Sequence, residues 1–261
     1  MSSRTDSNSF KTFLINLPRA TERRQKMEEQ LAALNLPYEL FNAVDGRERG
    51  EELLKRLDKR AFERNAGRKV LMGELGCYAS HLEVWKETLA SGAEFALVLE
   101  DDVVFHEDFL DAIELAISHA RHWDYLKLNR IRAKIPVRQG KIGTYDLNAY
   151  LGPATGTGAY LIKASTIRKL MPGMLPITRP FDHELNRFFA HDFRLLGLEP
   201  FPSHIDDGGV DFIARDAGPV AKRAPFYHRL PNYRLRVANY FRRFSYLLRT
   251  GAWPGSNKVL E

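Results

Sequence analysis

A chain of 261 residues, 44% of them hydrophobic, is long enough to bury a substantial core and fits one α/β domain, or one domain with a tail. Its single cysteine, Cys77, excludes an internal disulfide, and no apolar run approaches the roughly 18 residues a membrane-spanning helix needs. The formal net charge of +6 is local: six arginines and Lys258 face Glu261 alone from Arg229 onward, and the bases and acids of the remainder cancel.

In chain order, "TFLINL" at 12–17 predicts a first strand, and Thr21 an N-cap for a helix with Met27, Leu31 and Leu34 at helical spacing. "YELFNAVDG" at 38–46 predicts a second strand ending at a turn, followed by a charged helical stretch around Glu48 to Arg64. From Gly73 a helix carries Leu75, Tyr78, Leu82, Trp85 and Leu89 on one face. Gly73, Gly76 and Ser80 form a line of small residues on it, suited to close packing against the sheet or to a ligand's approach. Phe95 to Leu99 is a continuous apolar run, as in a strand covered on both faces. Another helix follows, with Glu107 and Asp108 as its acidic first turn and Phe109, Ile113, Ala116 and Ile117 as its apolar residues. This alternation predicts a largely parallel sheet flanked by helices, with ligands beyond the carboxyl ends of the strands. The N-terminal residues contain no apolar signal region, so the expected location is the cytoplasm.

At such a strand end stand three consecutive carboxylates, Glu100, Asp101 and Asp102, in "FALVLEDDVVF". A solvated turn is one reading. Two details favour a site: the chain returns at once to "VVF", and the next helix has acids of its own. Adjacent carboxylates resist desolvation unless a cation joins them, and clustered oxygen ligands suit Mg²⁺ or Mn²⁺.

Other motifs divide in the same way. Cys77 and His81 stand four apart, but without further cysteines or a paired ligand motif they make no zinc signature. "GPATGTGAYLI" leads from glycines into a strand, unlike the strand, glycines, helix order of a dinucleotide fingerprint. In "SHIDDGGVDF", His204, Asp206, Asp207 and Asp211 are turn residues or late metal ligands, and His228 is a further candidate. The basic stretch Lys127 to Lys141 reads as a solvated hairpin. In 233–249, Tyr233, Val237, Tyr240, Phe241, Phe244, Leu247 and Leu248 gather on one helical face among arginines. That helix either packs on the domain or lies on an anionic membrane surface.

"FLINLPRATERRQKM", "NAVDGR", "GELGCYASHLEVWK" and "ALVLEDDVVFHEDF", with "GTGAYLI" and "PFDHEL", resemble the successive blocks of glycosyltransferase family 25 enzymes, from about Phe13 to Leu185. The resemblance implies a GT-A type fold, taken over 10–228, and inverting, metal-dependent transfer of a hexose; the basic amphipathic tail at 229–261 is read from its charge and helical pattern and has no counterpart in the resemblance. The donor is typically UDP-galactose and the acceptor a saccharide or glycolipid such as lipopolysaccharide core. It also implies that Asp102 ligates Mn²⁺ or Mg²⁺, that His204 or Asp206 supplies a second ligand, and that Glu100 and Asp101 hold the ribose or metal-bound water. Donor contacts are implied for Asn16, Arg19, Arg23, Arg24, His81, Thr157 and Gly158; the family usually has Ser where this chain has Ala20. Asp182, in "RPFDHEL", is the candidate base for the acceptor hydroxyl, or the N-cap of a helix carrying Leu185, Phe188 and Phe189. A phosphohydrolase or nucleotidyltransferase also uses clustered acids, but "INLPRATERR" lacks the glycine-rich loop of the latter. A nucleic-acid-binding module leaves the acidic strand end unexplained.

Overall fold

The computed structural model describes residues 9–206 and 229–261. β1 (Phe10–Asn16) is buried from Thr12 to Asn16, and α1 (Thr21–Ala33) lays Met27 and Leu31 against the core. Thr21 does not cap this helix: it is the first helical residue, exposed, and Ala20 holds the N-cap position without a side-chain bond. The turn closes through Ala20 N–H to Leu17 O at 2.7 Å and Asn16 Nδ2 to Ala20 O at 3.1 Å. β2 (Glu39–Asn42) is shorter than the apolar run predicts: Ala43 N–H still reaches Asn16 O at 2.9 Å, but Val44 N–H turns to Ser80 Oγ at 2.8 Å. The charged stretch forms two helices, α2 (Gly50–Lys55) and α3 (Lys59–Ala66), broken where the Asp58 carboxylate accepts from Ala61 N–H at 2.9 Å and caps α3.

α4 (Met72–Ser91) buries Leu75, Tyr78, Leu82 and Trp85, as their spacing predicts. Its line of small residues packs against the loop after β2. Val44 N–H donates to Ser80 Oγ at 2.8 Å, and a Cβ on Gly76 would stand 2.4 Å from Val44 O. β3 (Phe95–Glu100) follows with five fully covered apolar side chains, each contributing about 1.5–3 kcal/mol of transfer free energy where large. β4 (Val103–Phe105) and α5 (Phe109–Ser118) come next; only Asp111 lies in the first turn of α5, so Glu107 and Asp108 precede it.

The remaining strands are β5 (Tyr125–Lys127), β6 (Arg132–Ala133), β7 (Pro136–Ile142), β8 (Tyr145–Tyr150), β9 (Ala154–Thr155) and β10 (Ala159–Lys163). After α6 (Ala164–Leu170), α7 (Phe181–Leu185) and α8 (Phe188–His191), the chain forms β11 (Leu195–Glu199) and β12 (Ser203–Ile205). The main sheet has the order β2-β1-β3-β10-β5-β11-β8-β7. It is mixed: β10 and β8 run against the other six strands, making four of the seven ladders antiparallel. β12 pairs with β4 as a separate ribbon beyond the end of β3. The expected hairpin of basic residues is displaced, since Lys127 ends a buried strand and the hairpin is β7–β8.

α9 (Leu230–Arg249) packs on α3 and α8, burying Arg243, Tyr246 and Leu247. The residues after it run beside β7, with Ser256 N–H to Arg138 O at 2.7 Å and Leu260 N–H to Lys141 O at 2.8 Å. We expect Gly76→Ala to lower the stability of the domain by about 1–3 kcal/mol, because the new methyl meets backbone atoms that cannot rotate away. Urea unfolding of the two proteins measures this.

Candidate functional site

The three carboxylates at the end of β3 have three different surroundings. Glu100 Oε1 accepts from Thr157 Oγ1 at 2.5 Å and lies 3.2 Å from His81 Nε2. Burial raises its pKa, but the His81 contact, the Thr157 hydrogen bond and the Lys127 charge outweigh that and leave it lowered. Asp101 accepts from Asn16 Nδ2 at 2.7 Å and Arg23 at 2.9 Å, although burial still holds its pKa above the ordinary value. Asp102 is the poorly served one. Its Oδ1 is buried with no hydrogen-bond partner among the described residues, and the closest guanidinium nitrogen, from Arg23, is 3.9 Å from Oδ2. Burial and the charge of Glu100 push its pKa up to about 7 against the pull of Arg23.

On the inner side, the loop before β10 is held at nearly every residue. Asn186 grips Ala154, accepting its N–H at 2.7 Å and donating to its O at 2.6 Å. Gly156, at φ +93°, donates its N–H to Asp182 Oδ2 at 3.1 Å and accepts from Lys127 Nζ. Gly158 O accepts from Glu100 N–H at 2.7 Å. Lys127 is fully buried, which brings its pKa down to about 8 against the raising charges of Asp182 and Glu100. Asp182 is not the N-cap, a position held by Pro180; its Oδ1 accepts from His183 N–H at 2.8 Å. The expected single helix is divided between α7 and α8.

On the outer side lies a cleft of about 370 Å³, lined by Arg19, Arg23, Lys26, Asp101, Asp102 and Asp206 among others. That volume suits a small-molecule ligand. Its roof is the β4–β12 ribbon, where Ile205 pairs with Val103, so Asp206 stands across from Asp102 with its N–H on Asp102 O at 2.7 Å. By strand alternation Asp206 and His204 share that face. His204 is exposed, with Nδ1 at 2.9 Å from His106 Nε2. Gln30 ties α1 to β4, donating to Val103 O and accepting from Phe105 N–H, both at 3.0 Å.

The structure therefore gathers Arg19, Arg23, Asp101, Asp102 and Asp206 at the cleft, and His81, Glu100, Thr157, Gly158 and Asp182 behind it. Asn16 joins the two through its bonds to Ala20 and Asp101. Arg24 is not among the cleft residues; it points to solvent and pairs with Glu28 at 2.7 Å. Arg19 pairs with Asp45 at the rim. Asp207, Asp211 and His228 lie outside the described residues. Sequence reasoning missed Lys127, Asn129 and Asn186. Asn129 is fully buried, with neither amide atom partnered among the described residues. A lysine inside the apolar run "DYLKLN" is the signal that could have found Lys127.

The arrangement is an α/β domain whose acidic strand end opens into a cleft rimmed by bases. Residues 10–185 match glycosyltransferase family 25, described as an LPS biosynthesis protein. The chain is 32% identical to a glycosyltransferase 25 family member from Aedes aegypti, over 61% of this chain and 27% of that one. It is 25% identical to procollagen galactosyltransferase 1 from Danio rerio (78% and 38% covered), and 27% identical to a probable inactive glycosyltransferase 25 family member 3 from Rattus norvegicus (74% and 38%). The chain thus spans between about a quarter and two fifths of the length of these relatives. It belongs to glycosyltransferase family 25.

The raised Asp102 pKa carries a stability consequence. The folded state holds this proton up to pH about 7, whereas the unfolded chain releases it near the ordinary aspartate value, so stability falls as pH rises across that window. Asp102→Asn removes the cost. We expect the metal-free variant to melt at a higher temperature than the parent, by more at pH 8 than at pH 5; calorimetry at the two values checks it.

Proposed function

We propose that this chain is an inverting, metal-dependent glycosyltransferase of the GT-A type. It moves a hexose, first among them galactose, from a UDP-sugar to a saccharide or glycolipid acceptor such as lipopolysaccharide core. The observation that carries this reading is Asp102: its buried Oδ1 has no hydrogen-bond partner among the described residues, its backbone O accepts from Asp206 N–H, and it lines a cleft with Arg19, Arg23, Lys26 and Asp206. Galactose is favoured by the name of the zebrafish relative, and lipopolysaccharide by the family's description.

Asp102 and Asp206 fit a hard divalent cation, because they offer carboxylate oxygens, one of them buried and without a partner among the described residues. Asp102 and Asp206 would hold Mn²⁺ or Mg²⁺, with His204 next along the ribbon, and the ion when bound supplies positive charge where the departing diphosphate gains negative charge. The guanidinium forks of Arg19 and Arg23 suit phosphate oxygens at the rim, where Lys26 adds a point charge. Asp101, fixed by Asn16 and Arg23, presents its remaining lone pairs to a ribose hydroxyl or a water. Glu100, with His81 and Thr157, holds the floor of the donor site in shape. The Gly156–Gly158 backbone lines the sugar side. Asp182 accepts the acceptor hydroxyl's proton; its two backbone hydrogen bonds aim it without using all of its lone pairs.

A panel of UDP-sugars, assayed for UDP release with Mn²⁺, Mg²⁺ or chelator, tests the reading. We expect metal-dependent release with UDP-galactose, abolished in Asp102→Asn. Asp182→Asn should lower transfer by about 10²–10⁴-fold while sparing donor hydrolysis, the usual range for a general base. Phosphate or pyrophosphate release instead of UDP would identify the phosphohydrolase or nucleotidyltransferase alternative. Full activity in chelator would refute the metal assignment.

We propose further that α9 holds the protein to the anionic inner face of the cytoplasmic membrane. Supporting this, Leu230, Val237, Phe241 and Leu248 fall in one exposed line flanked by Arg234 and Arg242. Basic residues near such a surface contribute about 1 kcal/mol each. In flotation with vesicles containing anionic lipid, Val237→Asp with Phe241→Asp should leave the protein unbound, and neutral vesicles should bind neither form. Equal flotation of parent and variant on anionic vesicles would refute it.

A further inference from the structure

Behind Asp102, on the side away from the cleft, Cys77, His81 and Glu100 each offer one ligand atom, and these atoms all lie within 4.8 Å of one another. Among the described residues no other group of histidine, cysteine or carboxylate side chains converges in this way. The first two come from adjacent turns of α4, and the third is the end residue of β3. Spacing along the helix alone gives two ligands, and the fold supplies the third.

We propose that Cys77, His81 and Glu100 form a binding site for a thiophilic divalent ion of the zinc class, separate from the hard-cation site at Asp102, and that filling it shuts off transfer. The ligand chemistry separates the two sites. A thiolate and an imidazole with one carboxylate select zinc or cobalt, whereas Asp102 and Asp206 offer oxygen alone. Three protein ligands leave a fourth position for water. His81 already has an outer partner: its Nδ1 lies 3.0 Å from Tyr160 Oη, which in turn accepts from Trp85 Nε1 at 3.1 Å, and Phe181 stacks on the ring at 4.5 Å. This is the kind of contact that fixes a metal-bound histidine. With the ion at Nε2, the ring carries its proton on Nδ1, facing the Tyr160 oxygen. The Cys77 thiol gives up its proton to solvent, so one proton leaves for each ion bound. Without an ion that thiol stays protonated, because burial and the charges of Glu100 and Asp182 push its pKa well above the ordinary value. The metal reverses this by neutralising the same charges.

Inhibition follows from geometry and rests on the function proposed above. Tetrahedral zinc with sulfur at about 2.3 Å and nitrogen or oxygen at about 2.0–2.2 Å spaces its ligand atoms about 3.3–3.7 Å apart, so the three side chains must draw in by up to about 1 Å. Glu100 ends β3, and Asp102 stands two residues further on, in the turn that leads to β4. Drawing the Glu100 carboxylate toward Cys77 takes it from Thr157, and with it the register of the 156–158 loop against the donor cleft.

Cobalt(II) tests the site without reference to activity, and with one cysteine in the chain every thiol signal comes from Cys77. We expect the protein to bind Co²⁺ at Cys77 with a near-ultraviolet thiolate charge-transfer band and visible bands of tetrahedral intensity, both bleached by Zn²⁺. Zn²⁺ should also slow alkylation of Cys77. Cys77→Ser should lose the charge-transfer band, keep the manganese-supported activity, and tolerate on the order of tenfold more Zn²⁺ before losing it. Absence of the thiolate band in the parent, or its persistence in Cys77→Ser, would overturn the site. Equal zinc inhibition of both proteins would overturn the inhibitory role. Should Cys77→Ser misfold, protection of the parent's thiol from alkylation by Zn²⁺ but not by Mn²⁺ decides the same question. If no UDP-sugar is turned over, the function fails while the spectrum still reads the site.

Discussion

The carboxylate of Glu100 is the point on which the arrangement of this protein depends. It stands partly covered at the end of a strand whose other five residues are buried, and a charge taken from water without partners costs several kcal/mol. The fold answers it from three directions: His81 from α4, Thr157 from the loop before β10, and the charge of Lys127 from β5. Each of those partners is fixed in turn. His81 is stacked on Phe181, Lys127 is bound to Gly156, and Gly158 accepts the Glu100 N–H. Satisfying one carboxylate thus sets where a helix, a loop and a central strand meet.

Two residues further on, the electrostatics reverse. Asp102 shares the strand end with Glu100 and is covered to a similar degree, yet its pKa is raised where that of Glu100 is lowered. Burial acts on both in the same direction, so the difference lies in the partners. Glu100 receives a hydroxyl and an imidazole, whereas Asp102 receives a guanidinium no closer than 3.9 Å and the repulsion of Glu100 itself. A satisfied charge next to an unsatisfied one is a division between holding the site and serving it. The unsatisfied one faces the cleft.

What the sequence revealed follows the reach of local pattern. The apolar run of β3 and the helical spacing of Leu75, Tyr78, Leu82 and Trp85 are short-range signals, and both elements lie where the pattern puts them. Strand direction is not a local property, so the reversed β10 and β8 could not be seen, and a sheet read as largely parallel is mixed. Lys127 escaped because it was counted with exposed bases, although its neighbours Tyr125, Leu126 and Leu128 are all apolar and buried. Thr21 failed as a cap because the helix starts one residue earlier than the pattern suggests: Ala20 O already accepts from Arg24 N–H, which leaves Thr21 inside the first turn. Cys77 and His81 looked like half a metal motif, and the residue that completes the trio stands 19 positions beyond His81 on another element.

The basic helix α9 is tied to the cleft by covalent neighbours and hydrogen bonds. Arg243, the arginine of α9 that is buried, donates through Nε to Asn186 O at 3.3 Å. The Asn186 side chain grips Ala154, and its N–H bonds Asp182 O at 3.0 Å; Asp182 in turn holds Gly156. Removing residues 229–261 would therefore strip a partner from the residue that clamps Ala154, and would uncover the core residues that pack on Tyr246 and Leu247. Loss of membrane binding in such a truncation would say little about a membrane surface. Changes confined to the outward line of Val237 and Phe241 leave Arg243 in place. They separate the helix's part in the fold from the proposed surface role, because the side chains that pack on the domain and those of the outward line lie on different faces.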